Sequence, residues 1–283
     1  MQIRPQPAGN GSGSRPIVLE RERHRLILRT AEERSVVGVP DLCELLGASE
    51  ATIRRDIAGM AERGEVRRVR GGVEALQPRY EPHLVGTPFV FSQDVQAPQK
   101  RAVAREAAAR MHRGESVIIG GGSTTFCLAE FLEDRELDIM TNSFPLAAHL
   151  VNHSRNRITL PGGAIYREQS IVLSPFDDVT QHFWGRSFYT SCYGLNRFGM
   201  MENDPLIVQS QNKLLASAER VVVLADSRKL RQYSSMIVIP LTRIATIITD
   251  WEAQPDELEP FRAAGIEVVI AAAGEDTVTR QVA

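Results

Sequence analysis

The chain has 283 residues, 43% of them hydrophobic and 24% charged, with a formal net charge of −2. That length allows about two domains and a sizeable apolar core, and the near-balance of charge excludes a wholly basic nucleic-acid coat protein while leaving room for a reader with one basic face. Cys43, Cys127 and Cys192 are too scattered for a disulfide framework or a zinc site and no apolar run approaches ~18 residues, so a cytoplasmic protein without a membrane span is expected.

Residues 1–18 hold glycine, serine and proline without an apolar segment and read as a disordered tail, not a signal peptide. A first helix is expected over 19–30, with Leu19, Leu26, Ile27 and Thr30 near one face. The stretch 40–73 then gives a short helix with Leu42, Leu45 and Leu46 on its apolar side, a turn at Gly47, and a second helix capped by Ser49. Ile53, Ile57 and Met60 fall at i, i+4 and i+7 and form a buried stripe, so Thr52 and Arg55 point the opposite way, flanked by Ala51 and Arg54. Gly64 stops this helix, and 66–73 reads as a basic β-ribbon bearing Arg67, Arg68 and Arg70 ahead of Gly71-Gly72.

The pattern over 19–76 is that of a helix-turn-helix with a wing. A helix fits the major groove, and small residues such as Ala51 and Thr52 let it approach closely. Arg54 and Arg55 can reach phosphates or a guanine edge, and the wing arginines can neutralise backbone charge. The expected contacts with double-stranded DNA are therefore Ser49, Ala51, Thr52, Arg54, Arg55, Arg67, Arg68 and Arg70. The plainer alternative is a helical hairpin with a solvated arginine face.

Residues 77–97 are poor in periodicity and include Pro78, Pro82 and Pro88, which marks a linker. From 98 to 283 the texture changes. Val103, Ala107 and Met111 stripe a helix, and short apolar runs follow at 116–119, 139–141, 158–160, 188–193, 221–225, 244–249 and 268–271. Helical patterns at 124–132, 144–151, 205–218 and 257–263 alternate with them. Strands and helices in alternation predict an α/β domain, a mainly parallel sheet covered on both faces.

Ligands in such sheets bind at the carboxyl ends of the strands. One loop there is Gly120-Gly121-Gly122-Ser123-Thr124-Thr125, whose glycines, hydroxyls and following helix outline a phosphate cradle; it lacks the lysine of a Walker loop. The others are Thr141-Asn142-Ser143, Leu160-Pro161-Gly162-Gly163 and Ala225-Asp226-Ser227-Arg228-Lys229. Each has an unremarkable reading, a glycine turn or a surface ion pair; four polar loops on one edge make the stronger case. His112, His149, His153 and His182 show no metal spacing, and no metal or cofactor is implied.

Ser49-Glu50-Ala51-Thr52-Ile53-Arg54-Arg55-Asp56-Ile57, followed by Arg68-Val69-Arg70-Gly71-Gly72, resembles the DNA-binding signature of the DeoR family of bacterial transcription regulators. Arg70 stands where that family more often has His. The resemblance implies a winged helix-turn-helix repressor of a carbohydrate operon, with a second domain that senses a phosphorylated sugar and a fold similar to ribose-5-phosphate isomerase. Carried over position by position, Gly122, Ser123 and Thr124 match the phosphate loop, with Gly121 and Thr125 beside it. Asn142 and Ser143 match a polar turn, Gly162 and Gly163 a double glycine, Asp226 and Lys229 a late Asp-x-x-Lys, and Lys213 a basic helix position. Gly120 and Gln211 depart from the family, which commonly has acids there. Gly122-Ser123-Thr124 and residues 169–175 look closest to the branch that represses ascorbate utilisation, which implies a sugar-acid or lactone phosphate as effector.

Paired operator half-sites would call for a homo-oligomer, a dimer or tetramer. The alternative is a sugar-phosphate isomerase or deaminase fused to a DNA-binding module. Isomerisation needs a general base, and the comparable place here reads Tyr193-Gly194-Leu195-Asn196-Arg197, with no carboxylate, so no enzyme is expected.

Overall fold

The computed structural model describes residues 19–34, 36–69, 71–76, 89–174 and 179–274. The chain divides into two compact units, residues 1–83 and 84–283.

In the first unit, α1 (Glu20–Arg34) precedes β1 (Val36–Gly38), α2 (Val39–Leu46), α3 (Glu50–Glu62), β2 (Val66–Val69) and β3 (Gly72–Ala75). Ile27 of α1, Leu42 and Leu46 of α2, and Ile53, Ile57 and Met60 of α3 pack with Val37, Val66 and Val73 into one core. Gly47 closes α2 in the left-handed conformation that a Cβ disfavours. Leu45, expected inside, is 49% exposed, and Leu19 is exposed as well. The wing is a three-stranded antiparallel sheet in the order β1-β3-β2. Its first strand is only Val36–Gly38, too short to carry an alternation, and was not foreseen. Gly72 sits where a Cβ would meet the Val37 carbonyl oxygen, so the two strands approach as only glycine allows.

The second unit opens with α4 (Phe89–Ser92) and α5 (Ala97–Ala109), both beginning within the span expected as linker. Seven strands follow in one all-parallel sheet: β4 (Ser116–Ile119), β5 (Asp138–Thr141), β6 (Arg157–Thr159), β9 (Gly185–Ser191), β12 (Ala218–Leu224), β14 (Ile244–Asp250) and β15 (Glu267–Ala271). Alternate residues face opposite cores. Val117, Ile119, Val222 and Leu224 join α5 and α7 (Phe144–His153) on one side. Ile118, Val221 and Val223 join α8 (Pro205–Ala216) and α9 (Pro255–Ala263) on the other. Burial on both faces explains why these strands read as unbroken β-branched runs.

The strand order is β15-β14-β12-β9-β4-β5-β6. The chain winds outward from β4 to β6, then returns to place β9 on the other side of β4. The crevice between β4 and β9 is thus the topological switch point, where such sheets hold ligands. Two small antiparallel pieces frame that edge: the hairpin of β7 (Ala164–Tyr166) with β8 (Ile171–Leu173), and a sheet of β10 (Gly194–Asn196), β11 (Gly199–Glu202) and β13 (Met236–Pro240). The loop helix after β4 is α6 (Ser123–Phe126), only four residues long before it tightens into a 3-10 turn over Cys127–Phe131. Among the described residues no helix is long and apolar enough to cross a membrane.

Candidate functional site

Two surfaces carry the chemistry, one in each unit. In the first, Ser49 caps α3, its hydroxyl accepting from the Thr52 amide at 3.3 Å and meeting the Thr52 hydroxyl at 2.9 Å. The stripe Ile53, Ile57 and Met60 is buried, which turns Ala51, Arg54 and Arg55 outward; all three are exposed, with Thr52 half-buried. Arg54 pairs with Glu50 one turn back at 3.0 Å, a solvent-screened contact that a phosphate can displace. Arg67 and Arg68 are exposed on β2, with Arg67 paired to Glu74 across the wing at 3.2 Å. Arg54 and Arg68 line one concave surface with Val69 and Gly71 between them, so helix and wing present their cations together. Arg70 lies outside the described residues.

Asp56 behaves differently from its neighbours. It is buried, accepting from Arg23 at 2.7 and 3.1 Å, and His24 lies 3.2 Å from it. Although it falls inside the arginine-rich block, it faces α1 and fixes the roll of the helix that displays Arg54 and Arg55.

In the second unit the residues converge on the switch point. A Cβ on Gly122 would lie 2.0 Å from the Ser191 hydroxyl oxygen at the end of β9, and one on Gly121 2.3 Å from Ile171, so this loop is pressed against β9 and the β7–β8 hairpin. Asn142 holds it there: its side-chain oxygen accepts from the Gly121 amide at 2.7 Å, and its own amide donates to Ser210 at 2.8 Å. Thr125 closes back on the Gly122 carbonyl at 3.0 Å, and Thr124 is buried. Ser143 caps α7 by accepting from the Leu146 amide. Asn142, Thr125 and Ser143 therefore shape the loops, with their polar groups already engaged.

The charge comes from an unexpected residue. Lys100, on α5, is 2% exposed, and its ammonium donates to Ser123 at 2.8 Å and to the Ser92 carbonyl. Burial draws its pKa down to about 8; Asp226 opposes this, while Lys229 and Arg228 reinforce it. Lys100 thus feels the charges of the turn after β12. There Asp226 is fully buried and accepts from Arg228 at 3.1 Å. The Lys229 amide donates to the Asp226 carbonyl at 2.8 Å, and its ammonium lies 5.8 Å above the Tyr193 ring. Asp250, at the end of β14, accepts from the Ser227 amide at 2.7 Å and so fixes this turn.

Two oxygens in the cluster, Asp226 Oδ2 and Gln211 Oε1, are buried without a hydrogen-bond partner. Both can accept, and unpaired buried acceptors are costly unless a ligand's donors satisfy them. Next to Gln211 is buried Glu202, accepting from the Tyr193 amide at 3.1 Å and from Gln211 at 3.4 Å. Burial pushes the Glu202 carboxyl up to about 7 against the opposing charge of Lys229 and its two hydrogen bonds, with Asp204 adding to the rise. An acid raised in the folded state weakens the fold as pH climbs from its ordinary range of about 4.3 to its folded value, and costs a constant amount above it. Glu202→Gln is thus expected to gain on the order of 3 kcal/mol at pH 8 and almost nothing at pH 4. Thermal melts across that range check this; an equal effect at both ends contradicts it.

The remaining expected residues gather elsewhere on the same edge. A Cβ on Gly163 would strike the Leu173 carbonyl oxygen of the facing strand, which makes this glycine a requirement of the hairpin, and Gly162 is exposed with open space around it. The Lys213 ammonium donates to the adjacent Ser174 carbonyl at 2.7 Å. All three were expected at the effector; Gly163 packs against the hairpin strand and Lys213 meets the residue that follows it.

Comparison with known proteins adds the family context. Residues 95–251 match the family model described as the DeoR C-terminal sensor domain, and residues 23–79 match that of the DeoR-like helix-turn-helix domain. The HTH-type transcriptional regulator UlaR of Shigella dysenteriae is 32% identical over 253 residues, covering 88% of this chain and 98% of the relative, and UlaR of Escherichia coli matches to the same extent. Among solved structures, ribose-5-phosphate isomerase A of Methanocaldococcus jannaschii is 16% identical, with a TM-score of 0.34, over 46% of this chain and 52% of that one. The full-length sorbitol operon regulator SorC of Klebsiella pneumoniae is 13% identical, with a TM-score of 0.32, over 92% and 99%.

Proposed function

This chain belongs to the DeoR family of helix-turn-helix transcriptional regulators, and we propose from that premise that it represses a carbohydrate catabolic operon under the control of a phosphorylated sugar or sugar acid. It acts in the cytoplasm, where its operator lies, and as a homo-oligomer, because paired readers match paired half-sites. Ser49, Ala51, Thr52, Arg54 and Arg55 are assigned to the groove, and Arg67, Arg68 and Arg70 to the phosphate backbone.

One observation carries the effector reading: a buried cation, Lys100, meets the Ser123 loop and feels the charge of Asp226, one of whose buried carboxylate oxygens has no hydrogen-bond partner. The cation suits a phosphate and the bare acceptors suit sugar hydroxyls. Lys229, Gly121, Gly122 and Thr124 complete the seat, Asn142, Ser143 and Thr125 hold its loops, and Gly162, Gly163 and Lys213 brace its rim. Binding to a duplex, followed with and without a panel of sugar phosphates, tests this; indifference to the whole panel refutes it. Lys229→Ala is expected to raise the half-maximal effector concentration by roughly tenfold or more, as the loss of one charge-assisted contact does. An unshifted titration removes Lys229 from the seat.

We assign no catalysis. Glu202 is a buried carboxylate of the kind a proton transfer uses, yet its oxygen is already held by the Tyr193 amide and by Gln211. Turnover of ribose 5-phosphate or glucosamine 6-phosphate by the purified chain would reverse that assignment.

A further inference from the structure

The Lys100 ammonium has three N–H donors, and its two recorded acceptors are both neutral oxygens, Ser123 Oγ and the Ser92 carbonyl. Among the described residues no carboxylate comes within ion-pair distance of it. Asp226 is the attractive charge it feels, and Arg228 and Lys229 oppose that attraction. A buried cation so placed is costly until an anion joins it.

Its second partner matters as much as its first. Ser92 ends α4, the element through which the chain arriving from the reader enters the second unit. Two further contacts dock α4 on the same loop region. The Phe89 ring stands edge-on to that of Phe126 in α6, 5.5 Å between centroids, and the Phe89 amide donates to the Glu168 carbonyl at 2.7 Å. One side chain thus links the ligand loop to the entry segment.

We propose that Lys100 is an effector-anion ligand and that it relays occupancy: an anion seated at Ser123 takes the third donor of Lys100 and fixes the ammonium where it holds the Ser92 carbonyl, pinning α4. The inference rests on the anion seat argued above and adds the route by which occupancy reaches the linker. The chemistry is that of a buried cation which a counter-charge keeps charged and fixed in place, so that its charge-assisted hydrogen bond to Ser92 persists. Such coupling needs the ligand to favour one state of α4 over the other, and Lys100 supplies that difference.

The test is amide hydrogen exchange on the full chain, titrated with inorganic phosphate against chloride at matched ionic strength. The Phe89 and Gln93 amides, which donate to the Glu168 and Phe89 carbonyls, report on α4, and residues 120–126 report on the loop. Slowing of about threefold or more at both places is expected. Protection of 120–126 with α4 unchanged or faster overturns the relay and leaves the anion seat standing. No protection at either place overturns both. In Lys100→Met the phosphate-induced slowing of α4 is expected to vanish; if it persists, Lys100 is not the link.

Discussion

Alanine at both Arg54 and Arg55 is expected to weaken binding to a duplex selected by the wild-type protein by about 100-fold or more, since each arginine on a groove-facing helix is worth roughly 1–3 kcal/mol. Both side chains are exposed on α3, opposite Ile53, Ile57 and Met60, so their removal leaves the core of the reader untouched. The loss should also flatten the dependence of affinity on salt, by close to one unit of slope for each phosphate contact removed. Anisotropy titrations at several salt concentrations separate the two terms. An arginine reading a base lowers affinity for the selected duplex and leaves the slope nearly alone; one on a phosphate lowers affinity for every sequence and reduces the slope. Wild-type affinity in the double variant would mean that the reading face lies elsewhere. The pairing of Arg54 with Glu50 tempers its contribution only slightly, because an exposed ion pair on a helix is worth roughly 0.3–0.5 kcal/mol.

Much of this architecture is legible in the chain because the physics is local. The 3.6-residue stripe of α3 and the unbroken β-branched runs of β4, β12 and β14 each announce their surroundings. The elements that escaped are those whose identity depends on distant partners. β7, β10 and β11 are three or four residues long, hold Ala-Ile-Tyr, Gly-Leu-Asn and Gly-Met-Met-Glu, and become strands only because a facing strand pairs with them. Lys100 escaped for a related reason. A lysine in the first turns of an alanine-rich helix reads as solvated, yet it lies three residues before Val103 and seven before Ala107, in phase with the buried stripe, and that spacing was the available signal. Glu202 gave no such sign; it is buried on β11, a four-residue strand whose pairing with β13 is not readable from either segment alone. The expected cradle leaned on the dipole of a helix after Gly122; α6 lasts only four residues, and the cation that meets Ser123 is the buried amine of Lys100. Asn142 shows the converse: a polar residue at a strand end invites a ligand role, and the fold spends both ends of its amide on Gly121 and Ser210.

Asp56→Ala is expected to destabilise the reader by roughly 3 kcal/mol, the lower end of what removing one member of a buried, hydrogen-bonded charge pair costs, because Arg23 keeps some access to water. The substitution removes the carboxylate that both Arg23 and His24 meet, so α1 loses its buried polar tie to α3. Burial alone would raise the Asp56 carboxyl; the hydrogen bonds from Arg23 and His24 outweigh it and hold the group below its ordinary value. A depressed folded value means that the stabilisation is complete above the ordinary carboxylate range, near pH 4, and fades as pH falls through the folded value. Wild type and variant should therefore differ most at neutral pH and converge in strong acid. Urea unfolding read through the amides of α1 checks both points, and a loss under about 1 kcal/mol at pH 7, or a gap that widens on acidification, would contradict the structural role. Because Asp56 sits between Arg55 and Ile57, any fall in DNA affinity in this variant should follow the fraction of reader unfolded. Asp56→Asn sharpens the point: it keeps an acceptor for Arg23 while giving up the charge, so its stability should fall between those of wild type and Asp56→Ala. Operator affinity should then return wherever α1 and α3 are held together, which marks Asp56 as the residue that aims the reading helix and Arg54 and Arg55 as those that read.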